Sequence, residues 1–297
     1  MRTGMSPHTV WLAVGLAFAK SAGHAYHEEM QQWRDAYESG LKQENGWLSL
    51  AGLFWLEEGE NSFGSGSRNR IALPPGSAPE SAGIFTFHAG ETQVRPAPGV
   101  NLLLNGKPLP SAATLKPDSS GDPDRLSLGR LSMIVIHRGT RYAIRLWDNG
   151  SPARYSFTGV RWFPIKEAYR VTAQFTSYPQ PKMIPVLNIL GDTEQNPSPG
   201  YATFQLSGKT YRLEPVLEGD QLFFMFKDAT SGHQTYPSGR FVYTALPSGG
   251  KVVIDFNQAH NPPCAFTPYA TCPLPPKQNH LPIAIEAGEL DHPHAAK

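Results

Sequence analysis

The chain has 297 residues, of which 40% are hydrophobic and 17% charged, and its formal net charge is +1. That is enough chain for one large domain or two small ones with a sizeable core. Near-neutrality leaves no strong field to gather nucleic acid or an anionic membrane, so neither is expected as a partner.

At the N-terminus, Arg2 precedes an apolar run over residues 10–19, and small residues stand at Gly23 and Ala25. This is the layout of a secretory signal peptide over residues 1–25, cleaved near Ala25. An uncleaved anchor is the alternative, but the run is shorter than the about 20 residues that span a bilayer. The expectation is an exported protein, periplasmic or secreted, with no stable membrane insertion after cleavage. Tyr26, Met30, Trp33, Tyr37 and Leu41 then recur at helical spacing and mark one face of an amphipathic helix. Gly40 and Asn45-Gly46 signal its end.

Beyond Gly46 the helical period disappears. Glycine and proline, 28 of each, punctuate short runs of β-branched and aromatic residues without a repeat period. Residues 102–104 meet Asn105-Gly106, a strong hairpin pair. Residues 131–137 and 140–147 flank Arg138-Gly139, and 202–206 and 209–213 flank Ser207-Gly208. A further strand spans 222–227, and 240–246 and 251–257 flank a Pro-Ser-Gly-Gly loop. Consecutive hairpins imply antiparallel sheets, since parallel neighbours need long crossovers. The expected fold is mainly β, barrel- or roll-like, with one N-terminal helix. Residues 26–290 form a single domain, or two lobes dividing near 177–199 where prolines cluster, and 291–297 a disordered tail. No glycine-rich strand-to-helix turn for a dinucleotide is present, and no cofactor is indicated. Gly64-Ser65-Gly66-Ser67 lacks the G-x-S-x-G elbow of serine hydrolases. His292 and His294 fall in the tail and are discounted as a metal pair.

Polar residues of catalytic and ligand-binding type concentrate late in the chain: Asp228, Thr230, Tyr236, Arg240, Asp255 and Asn257, then His260, Asn261, Cys264, Cys272, Asn279 and Glu289. If residues 247–250 close a regular four-residue loop, Arg240 faces Asn257 and Val242 faces Asp255. Arg240, Asp255 and Asn257 then share one sheet face. The other face, with Phe241, Tyr243, Val252, Ile254 and Phe256, reads as core. A guanidinium can fork onto Asp255 or onto an anionic ligand held beside it. A structural salt bridge at a sheet edge is the competing reading.

The blocks Asp255-Phe256-Asn257-Gln258-Ala259-His260-Asn261-Pro262-Pro263-Cys264, Tyr269-Ala270-Thr271-Cys272-Pro273-Leu274-Pro275-Pro276 with Asn279, and Ala287-Gly288-Glu289 resemble an uncharacterised prokaryotic family, domain of unknown function 1684. Gly46-Trp47-Leu48-Ser49-Leu50, Ile144-Arg145-Leu146-Trp147-Asp148 and Thr235-Tyr236-Pro237-Ser238-Gly239-Arg240-Phe241 look like further blocks of it. The resemblance runs from about Trp33 to Glu289. It implies a shared site without naming its chemistry, and the family includes members without a signal peptide.

Cys264 and Cys272 are the two cysteines. Export and an even count favour a disulfide. A metal site would draw on His260, Cys264, Cys272 and His280, at intervals unlike standard zinc modules. A thiol nucleophile at Cys264 would need a base beside it. Two functions therefore stand. One is a hydrolase-like enzyme acting on a small polar or anionic substrate, with Asp255, Glu289 or Cys264 catalytic and Arg240, Asn257, Asn261, Asn279 and Tyr236 holding the ligand. The other is a non-catalytic envelope protein that binds a small molecule or a protein partner. A pocket beside Arg240 would favour the first, and a buried, mutually satisfied cluster the second.

Overall fold

The computed structural model describes residues 7–291, with side chains from Gly23 onward. Most of the expected leader and the tail histidines therefore lie outside the described side chains. Helix α1 (Pro7–Leu41) leads into β1 (Leu50–Trp55), β2 (Gly59–Gly64), β3 (Ile71–Ala72), β4 (Gly83–His88), β5 (Glu91–Pro96), β6 (Leu103–Leu104), β7 (Lys107–Pro108), β8 (Ala113–Leu115), β9 (Leu126–Leu128), β10 (Leu131–Arg138) and β11 (Arg141–Asp148). A short helix α2 (Pro152–Ser156) precedes β12 (Arg170–Leu187), β13 (Thr193–Leu206), β14 (Lys209–Leu213), β15 (Val216–Glu218), β16 (Gln221–Phe226), β17 (Arg240–Ala245) and β18 (Lys251–Asp255).

These strands form four open sheets, ordered β3-β2-β4-β5-β8, β1-β11-β10-β9-β6-β7, β15-β16-β17 and β14-β13-β12-β18. The mainly β, antiparallel expectation holds, and none of the sheets closes into a barrel. The short β2–β3 pair runs parallel.

Three apolar layers join the sheets in series. Phe63, Phe85 and Val94 meet Met133, Ile144 and Leu146 between the first two. Ile134, Ile136 and Trp147, on the other face of β10 and β11, meet Phe223, Met225 and Phe241. Phe224, Phe226 and Val242 then meet Val171, Phe204, Ile254 and Phe256. The two middle sheets are thus buried on both faces. That is why residues 133–136 and 222–226 read as unbroken apolar runs rather than alternating ones.

The expected turns form where their chemistry demands. Asn105 and Gly106 (φ 51° and 78°) link β6 to β7, and Ser207 and Gly208 (φ 51° and 74°) link β13 to β14. The Arg138-Gly139 turn sits one residue later, because Arg138 pairs with Arg141. The helical face of Tyr26, Met30 and Leu41 is buried as its spacing requires. Residues 177–199 lie in β12, β13 and their turn, and Ile184 and Val186 belong to the middle apolar layer.

The hairpin expected over 240–257 does not form. Ser248 and Lys251 exchange hydrogen bonds of 2.9 and 3.1 Å across a tight Gly249-Gly250 turn. Both glycines have left-handed φ, 58° and 71°, the conformation such a turn requires. The strands then part. Arg240 on β17 pairs with Phe226 on β16, and Asp255 on β18 pairs with Arg170 on β12. The free edge of β17 is taken by His260, which exchanges hydrogen bonds of 2.9 and 3.0 Å with Phe241. Consequently Phe241 and Tyr243 face the middle layer, whereas Val252, Ile254 and Phe256 share another layer with Val242.

Candidate functional site

The residues expected to form the site separate into buried braces. Arg240 is 1% exposed. Its Nη2 holds Asp228 Oδ2 at 3.1 Å and the Ile285 carbonyl at 2.9 Å, and Nη1 donates to the Ala287 carbonyl. Asp228 also accepts the Ile285 N–H at 2.7 Å and the Thr230 hydroxyl at 2.7 Å. The partner of Arg240 is therefore Asp228, not Asp255. The expected register fails because the two strands belong to different sheets.

Asp255 lies at the end of β18 under α1. Its carboxylate accepts the Tyr26 hydroxyl at 2.9 and 3.1 Å and the Asn257 backbone and side-chain N–H groups at 3.0 Å each. Asn257 clamps both backbone groups of Lys166. Burial and the adjacent Asp255 charge push the Tyr26 hydroxyl well above the usual tyrosine range. Asn279 ties Glu214 to Met225 through three backbone hydrogen bonds of 2.8 to 2.9 Å. Tyr236 donates to the Cys264 carbonyl at 3.2 Å.

Both cysteines are free thiols. The Cys264 N–H donates to Cys272 Sγ at 3.1 Å. A hydrogen bond from the Cys272 thiol lowers the Cys264 pKa, and that same bond with burial raises the Cys272 pKa. No group of three or more metal-ligating side chains gathers among the described residues. The His260–Cys264–Cys272–His280 set is not assembled: His260 Nδ1 meets the Gln258 carbonyl at 3.1 Å, and His280 Nε2 lies 3.3 Å from the Pro275 carbonyl.

Three expected residues do approach a cleft, Cys272 among them. It has a volume of about 580 Å³ and opens between β11, the β16–β17 pair, the β12–β13 turn region and the loop after His260. His260 and Asn261 line it, with Tyr37, Phe241, Tyr243, Arg145 and Thr271. The rings form a ladder: Tyr37 to His260 at 5.1 Å, His260 to Tyr243 at 6.1 Å and near-parallel, Tyr243 to Phe223 at 4.6 Å and near-parallel. Burial holds His260 at about 4, so its ring is neutral at pH 7. Behind this wall, Glu289 accepts the Asn261 backbone N–H at 2.8 Å, its side-chain amide at 2.9 Å and the Tyr37 hydroxyl at 3.1 Å. Burial outweighs these donors and raises the Glu289 carboxyl to about 8.

Arg138, Arg145 and Thr271 also line the cleft and were not among the expected site residues. The available signal was Arg145 itself, a charge inside the apolar strand run 143–147. It is buried between Leu53 on β1 and Ile134 on β10. Arg145 Nη2 donates to Thr271 Oγ1 at 3.2 Å. Arg138 Nε donates to the same hydroxyl at 3.4 Å, while its Nη1 holds Asp118 at 2.8 Å.

The fold and this cleft define a mainly β protein with a ligand-sized, aromatic-walled cleft between stacked sheets. Residues 155–290 match the family described as "Protein of unknown function (DUF1684)", and the chain belongs to it. An uncharacterised protein of Haloarcula marismortui, solved by NMR, is 32% identical over 46% of this chain and 79% of its own, with a TM-score of 0.40. The FhaA FHA domain, crystallised with the intracellular domain of another protein, is 16% identical over 32% of this chain and 96% of its own, with a TM-score of 0.23. An FHA-domain structure from work on phosphothreonine-dependent interactions is 17% identical over 32% of this chain and 92% of its own, again with a TM-score of 0.23. No curated protein matches the chain.

Proposed function

We propose that this protein binds a small molecule in the cleft between β11, β17 and the loop after His260, and that the Arg240 and Asp255 clusters hold the fold. One observation carries the reading: a cleft of about 580 Å³, within the size range of ligand sites, has aromatic walls and a few buried polar groups. The late polar residues support it from the other side. Arg240, Asp228, Asp255 and Asn279 are buried and partnered with one another or with backbone, as braces are.

The proposal includes export. Its support is the leader-like N-terminus and the position of Tyr26, the first buried side chain described in α1 and the residue that follows the expected cleavage point. It also includes closure of Cys264 and Cys272 into a disulfide in an oxidising compartment, supported by the contact between Cys264 and Cys272 Sγ. A hydrolytic reading has one observation in its favour, the raised Glu289 carboxyl behind Tyr37 and Asn261. Glu289 is fully buried and does not line the cleft, so binding is the better supported function.

The test is fluorescence titration with the neutral apolar dye N-phenyl-1-naphthylamine, read by energy transfer from Trp47 in the cleft wall. One saturable site is expected. Asn196→Trp places a bulky ring on a half-exposed strand position of the cleft wall and should weaken that site about tenfold or more, roughly 1.4 kcal/mol. Absence of a saturable site, or indifference to Asn196→Trp, would overturn the reading.

A further inference from the structure

Two residues of the cleft wall each carry a buried polar atom with no hydrogen-bond partner, and together they describe what belongs there. The first is Nε of Arg145, a residue 8% exposed. Its guanidinium has one hydrogen bond, to Thr271, and among the described residues no carboxylate lies within ion-pair distance of it. Arg138 brings a second guanidinium to the same hydroxyl, partly neutralised by Asp118. A buried, unpaired guanidinium is costly and presents a planar fork suited to an oxyanion. The second atom is Oδ1 of Asn261, a residue 1% exposed. Its orientation is fixed, because Nδ2 donates to Glu289 Oε1 at 2.9 Å and to the Leu290 carbonyl at 2.8 Å. That leaves Oδ1 as an acceptor without a donor.

The carboxylates that line the cleft do not offset this. Glu194 and Glu218 are exposed, and Glu218 accepts the Tyr243 hydroxyl at 3.2 Å. Exposed charges are screened by water and salt, whereas a buried guanidinium is not. The ring ladder of Tyr37, His260 and Tyr243 lines the same cleft, with Phe241 packed nearby.

Resting on the binding function proposed above, we infer that the ligand is a flat, largely apolar molecule with an oxyanion head and a hydrogen-bond donor. Its head, a carboxylate, phosphate or sulfonate, sits on Arg145 beside Arg138 and Thr271. Its ring body lies along the aromatic ladder, and its donor meets Asn261 Oδ1.

The experiment pairs two dyes of matched body. 8-Anilinonaphthalene-1-sulfonate carries the oxyanion and an N–H, and N-phenyl-1-naphthylamine carries the N–H alone. Each is titrated into the full chain, its Arg145→Met and Arg145→Gln variants, and Asn196→Trp. The intact protein should bind the sulfonate at one site about tenfold to a hundredfold more tightly, as expected for a desolvated charge-assisted contact. Both Arg145 variants should lose that preference and keep the affinity for the neutral dye. Displacement of the sulfonate by 1-naphthoate and by 1-naphthyl phosphate then tells which head is preferred. Equal affinities in the intact protein, which needs no variant, would overturn the inference and leave the cleft reading standing. So would a preference that survives in whichever Arg145 variant folds. Failure of both dyes to saturate one site, or insensitivity of both to Asn196→Trp, would remove the cleft reading and this inference together.

Discussion

Replacing Arg145 by methionine should make the ligand-free protein more stable. Burial, with the nearby Arg138 charge, lowers the Arg145 guanidinium from its ordinary value to about 10. A depression of that size corresponds to about 3 kcal/mol set against the charged form. The substitution loses the Thr271 hydrogen bond and the Trp47 ring contact at 5.9 Å, together about 1.5–2 kcal/mol. Methionine keeps most of the aliphatic stem packed in the middle apolar layer. The balance is a gain of about 1 kcal/mol, or about 2–4 °C in Tm for a domain of this size. Urea denaturation and calorimetry of the ligand-free proteins measure it directly. A loss of about 2 kcal/mol or more would show that Arg145 is satisfied within the fold, and the reasoning that makes it a waiting ligand group would be refuted. The contrast with Arg240 sharpens the test, since both arginines are buried in strands but only one has a carboxylate partner.

Arg240→Met should cost about 3–5 kcal/mol, because it strands buried Asp228; dye binding in the cleft should be unchanged in the folded fraction, and a near-neutral effect on urea stability would contradict the brace. Stability should fall as pH rises from about 6.5 to about 8. Glu289 titrates at about 8 folded against an ordinary 4.5, so over that range the folded state holds a proton the unfolded state has released. His260 acts oppositely but only between about 4 and 6.5, since burial keeps it neutral in the fold. Above 6.5 the Glu289 contribution amounts to about 2 kcal/mol by pH 8, opposed by the lowered Cys264 thiol where that ionises; Glu289→Gln should remove it, and an unchanged slope would assign it elsewhere. Mature exported protein should begin at Tyr26 by N-terminal sequencing, and an intact Met1 on soluble protein would count against export. Peptide mass spectrometry of unreduced exported material should find Cys264 joined to Cys272, and two free thiols there would remove the disulfide from the proposal.

Much of the local structure was legible in the residue pattern. Alternating and continuous apolar runs, with Asn105-Gly106 and Ser207-Gly208 in left-handed turns, specify antiparallel strands because those conformations suit few other residues. Tyr26, Met30 and Leu41 mark the buried face of α1 because helical geometry repeats every three to four positions. Which strands become neighbours was not legible. The 240–257 hairpin reads as local pairing, yet β12 draws β18 into one sheet while β16 and His260 take the two edges of β17. Side-chain alternation tells the faces of one strand apart but says nothing of its partner, so Arg240 found Asp228 and Asp255 found Tyr26. The cleft was hidden for the same reason. Its walls come from α1, β11, β13, β16, β17 and the 260–273 loop, distant in the chain and joined only when the sheets stack. By itself the sequence determined the class of fold, the turns and the helical face. Only the tertiary structure decided that Arg145 lies buried at a cleft with no carboxylate of the described residues within ion-pair distance, because long-range packing, not local pattern, chooses which buried charges are paired.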